Sequence, residues 1–166
     1  MDKLEIYIKD IERYDFYIEK ADNKASFLLA FEGIVLTLIT PLANDFLRNI
    51  DSSIIKNTVM ILLVIALIAI VVAAVSSALV IFPRFSKITG TSVLYYNDVK
   101  DLKSTELIER ISNLKEEQML NDFAEQVVVL AKISSKKMVG IRWSLGFLGI
   151  AGIFIVAISL LSILCS

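Results

Sequence analysis

The chain has no histidine and one cysteine, Cys165, in 166 residues. It therefore lacks the side chain that most often serves as general base or metal ligand. A lone cysteine cannot close an intrachain disulfide, and no Cys/His cluster exists for zinc. With 6 glycines and 2 prolines the sequence is neither collagen-like nor low in complexity. Charge is scarce as well, at 21 % of residues against 56 % hydrophobic, and the mean hydropathy is +0.70. The formal net charge of −1 and a pI of about 5.5 offer nothing to nucleic acid. A zinc protein, a disulfide scaffold and a histidine-dependent enzyme are excluded. A membrane protein remains.

Hydrocarbon about 30 Å thick needs roughly 20 apolar residues, with 17–25 tolerated. Three stretches meet this. Residues 26–42 form a short span interrupted by one acid, Glu32, while residues 59–82 and 143–164 carry no charge. Trp143 stands where an interfacial aromatic belongs. Span one does not read as a cleaved signal peptide, because the 25 residues before it are mostly polar and seven of them are acidic. The expected fold is all-α: an integral membrane protein with three transmembrane helices and a membrane-proximal cytoplasmic helical bundle. Its parts are an amphipathic helix over 1–25, span one, an outward-facing loop over 43–58, span two, a cytoplasmic helical region over 83–142, and span three.

Lys and Arg set the orientation. Fifteen of the 17 fall in 1–25 and 83–142, and two, Arg48 and Lys56, lie in the loop between spans one and two. The positive-inside rule places the N-terminus and the long stretch in the cytoplasm and the C-terminus in the periplasm or outside the cell.

Leu4, Tyr7, Ile11, Tyr14, Ile18, Ala21, Ala25 and Leu28 recur at alternating gaps of three and four, a seam over more than three heptads. No Pro or Gly interrupts it before Gly33, so one helix is expected to run from the cytoplasm into the membrane. The next step of the seam is Glu32. Charged groups at mid-membrane cost roughly 2.5–3.5 kcal/mol on insertion scales and face a bundle interior or water. Glu32 is thus a candidate for lining a pore or gating a conformational change, or else a hydrogen-bonded carboxyl bridging two helices. Ser76 and Ser77 on span two lie at matching depth. Span two also carries Ala66, Ala69, Ala73 and Ser76 at gaps of three, four and three, and span three carries Gly146, Gly149 and Gly152. Small residues of this kind pack helices within one chain or between copies.

In the cytoplasmic stretch, Ser104 is a candidate N-cap for a helix reaching Leu114, with Glu106 and Glu109 near its positive end. A second helix from Lys115 places Leu120, Phe123, Val127, Leu130, Ala131 and Ser134 on one face. It meets no breaker before Gly140, and unbroken into span three it is a rod of roughly 70 Å at 1.5 Å per residue. Its stripe is expected to pack on that of the N-terminal helix.

These segments also carry a resemblance. Ala21-Asp22-Asn23-Lys24-Ala25-Ser26 resembles the A-D-x-K-A-S signature of the Pycsar transmembrane effectors. Pro83-Arg84 is similar to the family's P-R step after span two, and Tyr95-Tyr96-Asn97-Asp98-Val99 to its Y-F-G-D-I segment. The order of spans matches too, so the similarity covers nearly the whole chain. Asn97 departs from the usual Gly, and Glu32 stands where the family more often has an uncharged polar residue.

The resemblance implies a bacterial antiphage effector of the inner membrane. In such a system a partner pyrimidine cyclase makes cyclic UMP or cyclic CMP, and the effector impairs the membrane and causes abortive infection. A cyclic nucleotide offers one phosphate charge and a flat base, which call for Lys or Arg beside an aromatic ring. The candidates are Lys24, Arg84, Lys136 and Lys137, with Tyr95 and Tyr96 for stacking. Basic residues at such a boundary also face lipid head groups. No Gly-rich phosphate cradle is present, so a site shared between subunits of a homo-oligomer is expected.

Two other classes use the same spans: a constitutive small channel, and a membrane adaptor or scaffold without nucleotide control. No catalytic residues, metal site or cofactor are expected. Glu116 and Glu117 fall on a solvated helix face, and a Ser or Cys nucleophile would have no His base.

Overall fold

The computed structural model describes residues 3–48, 52–82 and 92–164. Among them five helices follow in order, with no strand: α1 (Lys3–Arg48), α2 (Ser53–Ile81), α3 (Tyr96–Val99), α4 (Ser104–Asn113) and α5 (Glu116–Leu164). Three of these, α1, α2 and α5, are long and apolar enough to cross a membrane. The protein is all-α.

Helix ends differ from the hydropathy boundaries. The expected loop 43–58 is mostly helix, since α1 runs through Pro41 to Arg48 and α2 starts at Ser53. Hydropathy marks where side chains turn polar, whereas a helix continues for as long as its backbone bonds close. Ser104 is not the N-cap of α4 but its first helical residue. Lys103 takes the cap position, and its backbone N–H donates to Glu106 Oε2 at 3.4 Å. The same half of a capping box opens α5, where the Lys115 N–H donates to Gln118 Oε1 at 3.1 Å. Helix α5 continues past Gly140 as one element of 49 residues. Pro83-Arg84, Gly90 and Cys165 lie outside the described residues.

The chain forms two compact units. One consists of Met1–Lys20 and Pro83–Lys136. Within it the N-terminal seam residues Leu4, Tyr7, Ile11, Tyr14 and Ile18 are half-buried, while Ile8, Phe16 and Tyr17 are exposed. On α5, Leu130 and Ser134 are buried and Leu120, Phe123, Val127 and Ala131 half-buried. The segment before α3 is tied by side chains. The Ser92 hydroxyl accepts from Leu94 and Tyr95 N–H, Ser92 N–H donates to Asp98, and Val93 N–H donates to Asp122 on α5 at 2.9 Å. Asp98, the acid of the Tyr95–Val99 segment, thus fixes the entry to α3.

The other unit consists of Ala21–Phe82 and Lys137–Ser166, three helical segments from α1, α2 and α5. Its buried positions repeat in sevens. Ala25, Glu32 and Ile39 are enclosed on α1, then Val59, Ala66, Ala73 and Val80 on α2, and Lys137, Ser144, Ala151 and Ile158 on α5. A sustained seven-residue repeat keeps each seam facing its neighbours. Three apolar layers result: Ala21, Ala25, Val80 and Ile141; then Ile39, Ala66, Ala69, Ile70 and Ala151; then Val59 and Ile158. The outer surface carries the bulk, including Phe27, Leu38, Ile61, Ile68, Trp143 and Ile153. Small and polar residues inside with large apolar ones outside is the pattern lipid selects.

Helices α2 and α5 approach closely at Gly140. A Cβ there would stand 2.5 Å from Val80 Cγ2, whereas at Gly146, Gly149 or Gly152 it would meet nothing within 4 Å. The glycine patch on span three therefore faces away from the other two helices, and Gly140 makes the close approach. Gly140→Ala should cost about 1–3 kcal/mol through overpacking against a stiff valine. Gly149→Ala should be neutral or stabilise by up to about 1 kcal/mol through helix propensity. Thermal unfolding of both variants in detergent measures the difference.

Candidate functional site

Between the first and second apolar layers the seam turns polar. Glu32 on α1, Ser77 on α2 and Ser144 on α5 are each fully buried, with 0 % exposure. Each occupies the seam position one heptad from an apolar neighbour: Ala25 and Ile39 flank Glu32, Ile70 precedes Ser77, and Ala151 follows Ser144. Ser144 Oγ donates to Glu32 Oε1 at 2.8 Å, and Ser77 Oγ stands 3.2 Å from the same oxygen. The two hydroxyl oxygens are 2.8 Å apart. Glu32 Oε2 is buried with no hydrogen-bond partner among the described residues.

Ser76 does not join this cluster. Its hydroxyl donates to Val72 O at 2.8 Å, the local back-bond by which Thr37, Thr58 and Ser159 also satisfy themselves. The α2 seam runs Ala66, Ala69/Ile70, Ala73, Ser77 and Val80, so a four-residue step after Ala73 selects Ser77 over Ser76.

A second polar tie lies one heptad earlier on α5. Lys137 is 4 % exposed, and its ammonium donates to Asp22 Oδ1 on α1 and to Val80 O on α2 at 2.7 Å. Val80 O is in the last turn of α2, where carbonyls have no partner inside the helix and the dipole is negative. The lysine caps that end while Asp22 balances its charge. Ala21 and Ala25, at 0 % exposure, bring α1 against Val80 and Ile141 around the tie. Asp22, Ala21 and Ala25 of the Ala21–Ser26 motif are thereby accounted for.

The remaining candidates differ in exposure. Lys24 and Lys136 are exposed, and Tyr95 is buried at 7 %. Arg84 and the side chain of Tyr96 lie outside the described residues. Ser144 and Asp22 were not singled out from sequence, though the heptad 137, 144, 151, 158 marks the first and an acid able to face a buried lysine marks the second. Among the described residues no three His, Cys, Asp or Glu side chains gather to hold a metal ion.

Fold and site together define a three-helix membrane protein whose apolar spans are joined by two buried polar ties. A family model described as Pycsar effector protein domain, PycTM, matches residues 7–164. The chain belongs to that family. It is 28 % identical over 141 residues to the Pycsar effector protein SaPycTM of Staphylococcus aureus, with 84 % of each chain covered. It is 24 % identical over 162 residues to the Pycsar effector protein GmPycTM of Gulbenkiania mobilis, covering 82 % of this chain and 83 % of that one. No solved structure matches. The family is an effector family by name, not an enzyme family.

Removing one partner of a buried charge pair strands the other, at about 3–5 kcal/mol when both are enclosed. Asp22 keeps 35 % of its side chain exposed, so Lys137→Met should cost less, about 2–3 kcal/mol. The double variant Asp22→Asn/Lys137→Met should recover part of that loss. Chemical denaturation of the set in detergent tests both, and a double variant no more stable than the single one contradicts the pairing.

Proposed function

We propose that this effector responds to cyclic UMP or cyclic CMP made by a partner pyrimidine cyclase, and then impairs the bacterial inner membrane to produce abortive infection. The observation that carries the reading is the Glu32–Ser77–Ser144 cluster, fully buried within three apolar helices of a Pycsar-family chain. While the helices stay together, Glu32 Oε1 and the two serine hydroxyls hold one another. Once the helices separate or rotate, the same groups present a carboxyl and two hydroxyls that water can follow through hydrocarbon. Three helices are too few to enclose a water-filled path, so the reading includes a homo-oligomer in contact with lipid. The N-terminus faces the cytoplasm, where the nucleotide is made, and the C-terminus faces outward.

Lys24 and Lys136 are the basic candidates with exposed side chains for the nucleotide phosphate. Lys137 is committed to Asp22 and Val80, so its part is to hold the helices. Tyr95 is enclosed, which favours a packing role for its ring over base stacking.

Dye release from liposomes holding the purified protein tests this, with and without each cyclic nucleotide. Release should rise at least about tenfold with the cognate nucleotide, a coupling of roughly 1.4 kcal/mol or more. Glu32→Leu should fold, because an apolar side chain of similar size replaces a buried polar one, yet lose most of the triggered release. Equal release in both conditions would indicate a constitutive channel, and none in either an adaptor.

A further inference from the structure

The hydrogen bonds around Glu32 do not balance. Three oxygen–oxygen contacts of 2.8, 2.8 and 3.2 Å join Glu32 Oε1, Ser77 Oγ and Ser144 Oγ. The serines bring one hydroxyl proton each, so one contact has none to fill it. Glu32 Oε2, equally buried, also has no partner among the described residues. The cluster is short of one positive charge, and among the described residues no basic side chain supplies it. Lys137, the enclosed cation of this unit, is bound to Asp22 and Val80 O.

We propose that Glu32, Ser77 and Ser144 hold one monovalent cation of sodium size. All three side chains are at 0 % exposure, which excludes any ligand larger than an ion. One carboxylate matches one positive charge, whereas a divalent ion would leave an uncompensated charge at membrane depth. Calcium and magnesium also want six or more oxygens, and these side chains offer four. Hard oxygen donors suit an alkali ion, whose attraction has no direction. The three oxygens are close enough together for one small ion to touch them all. A third proton placed on Oε1 would leave Oε2 without a partner, whereas an ion held by both carboxylate oxygens would not. With a cation bound, the hydroxyls turn their lone pairs inward and the three helices share one electrostatic centre. The cation site is independent of nucleotide sensing.

Thermal unfolding of the full chain in detergent, followed through Trp143 fluorescence, reads cation binding without any nucleotide. Sodium chloride is exchanged for choline chloride at constant ionic strength, across a range of pH. Sodium at about tenfold its Kd should raise Tm by roughly 3–5 °C, and the rise should saturate. Glu32→Gln should abolish the rise, and Ser144→Ala should move its midpoint to about tenfold higher sodium. Equilibrium dialysis of the wild-type chain with radioactive sodium should give one ion per chain, a readout that survives if a variant fails to fold. The proposal is overturned if wild-type Tm is the same in sodium and choline, including the case where it moves with pH alone and a proton fills the site. A sodium-dependent rise that persists in Glu32→Gln overturns it as well.

Discussion

Lipid gives a polar group nothing to bond to, so in the three-helix unit a hydroxyl either bonds back to its own helix, as Ser76 does, or meets a partner on a neighbouring helix. Two clusters meet that demand, and each draws on all three helices. Lys137 joins Asp22 and the end of α2, and Ser144 joins Glu32 and Ser77. Leu or Ile layers tolerate a slip of one helix past another with modest change in packing. A carboxyl facing two hydroxyls does not, because a slip of one residue turns it towards lipid. The polar ties therefore fix register where the apolar layers only fill space.

Short side chains can make those ties only if the backbones are close. A serine hydroxyl reaches little beyond its own Cβ, so the axes must lie near the short end of the usual 8–10 Å range. The sequence provides for this on each helix: Ala21 and Ala25 on α1, Ala66, Ala69 and Ala73 on α2, Gly140 and Ala151 on α5. Small residues and serines are thus one device. Enlarging Gly140 acts on the hydroxyl contacts one turn away as well as on Val80.

Much of this was legible in the sequence. Spans two and three announce themselves by length and lack of charge, and the N-terminal seam leads through Ala25 to Glu32. Helix ends were less so: hydropathy falls off at residue 42, while backbone bonding carries α1 to Arg48. Ser76 and Ser77 were equivalent by depth, and only the register of α2 separates them. Lys137 read as a boundary lysine among others, since the feature that sets it apart, a carbonyl left open at the end of α2, belongs to another part of the chain. Ser144 was hidden because serine is unremarkable in a span until the residue opposite it is known to be an acid.

The size of these interactions bears on how such a unit can be switched. Polar contacts between membrane helices are worth about 0.6 kcal/mol on average and up to roughly 1.7. Apolar layers add little net attraction, because lipid tails replace helix neighbours at similar energy. A few such ties therefore hold the arrangement by only a few kcal/mol. Driving a two-state equilibrium from 1:99 to 99:1 takes a differential affinity of about 5.5 kcal/mol. That is within the range of one small charged ligand meeting two or three side chains. A soluble core of the same length would resist far more strongly, since opening it would expose apolar surface to water. In lipid the same opening exposes it only to more hydrocarbon, and the polar ties are what opposes that opening.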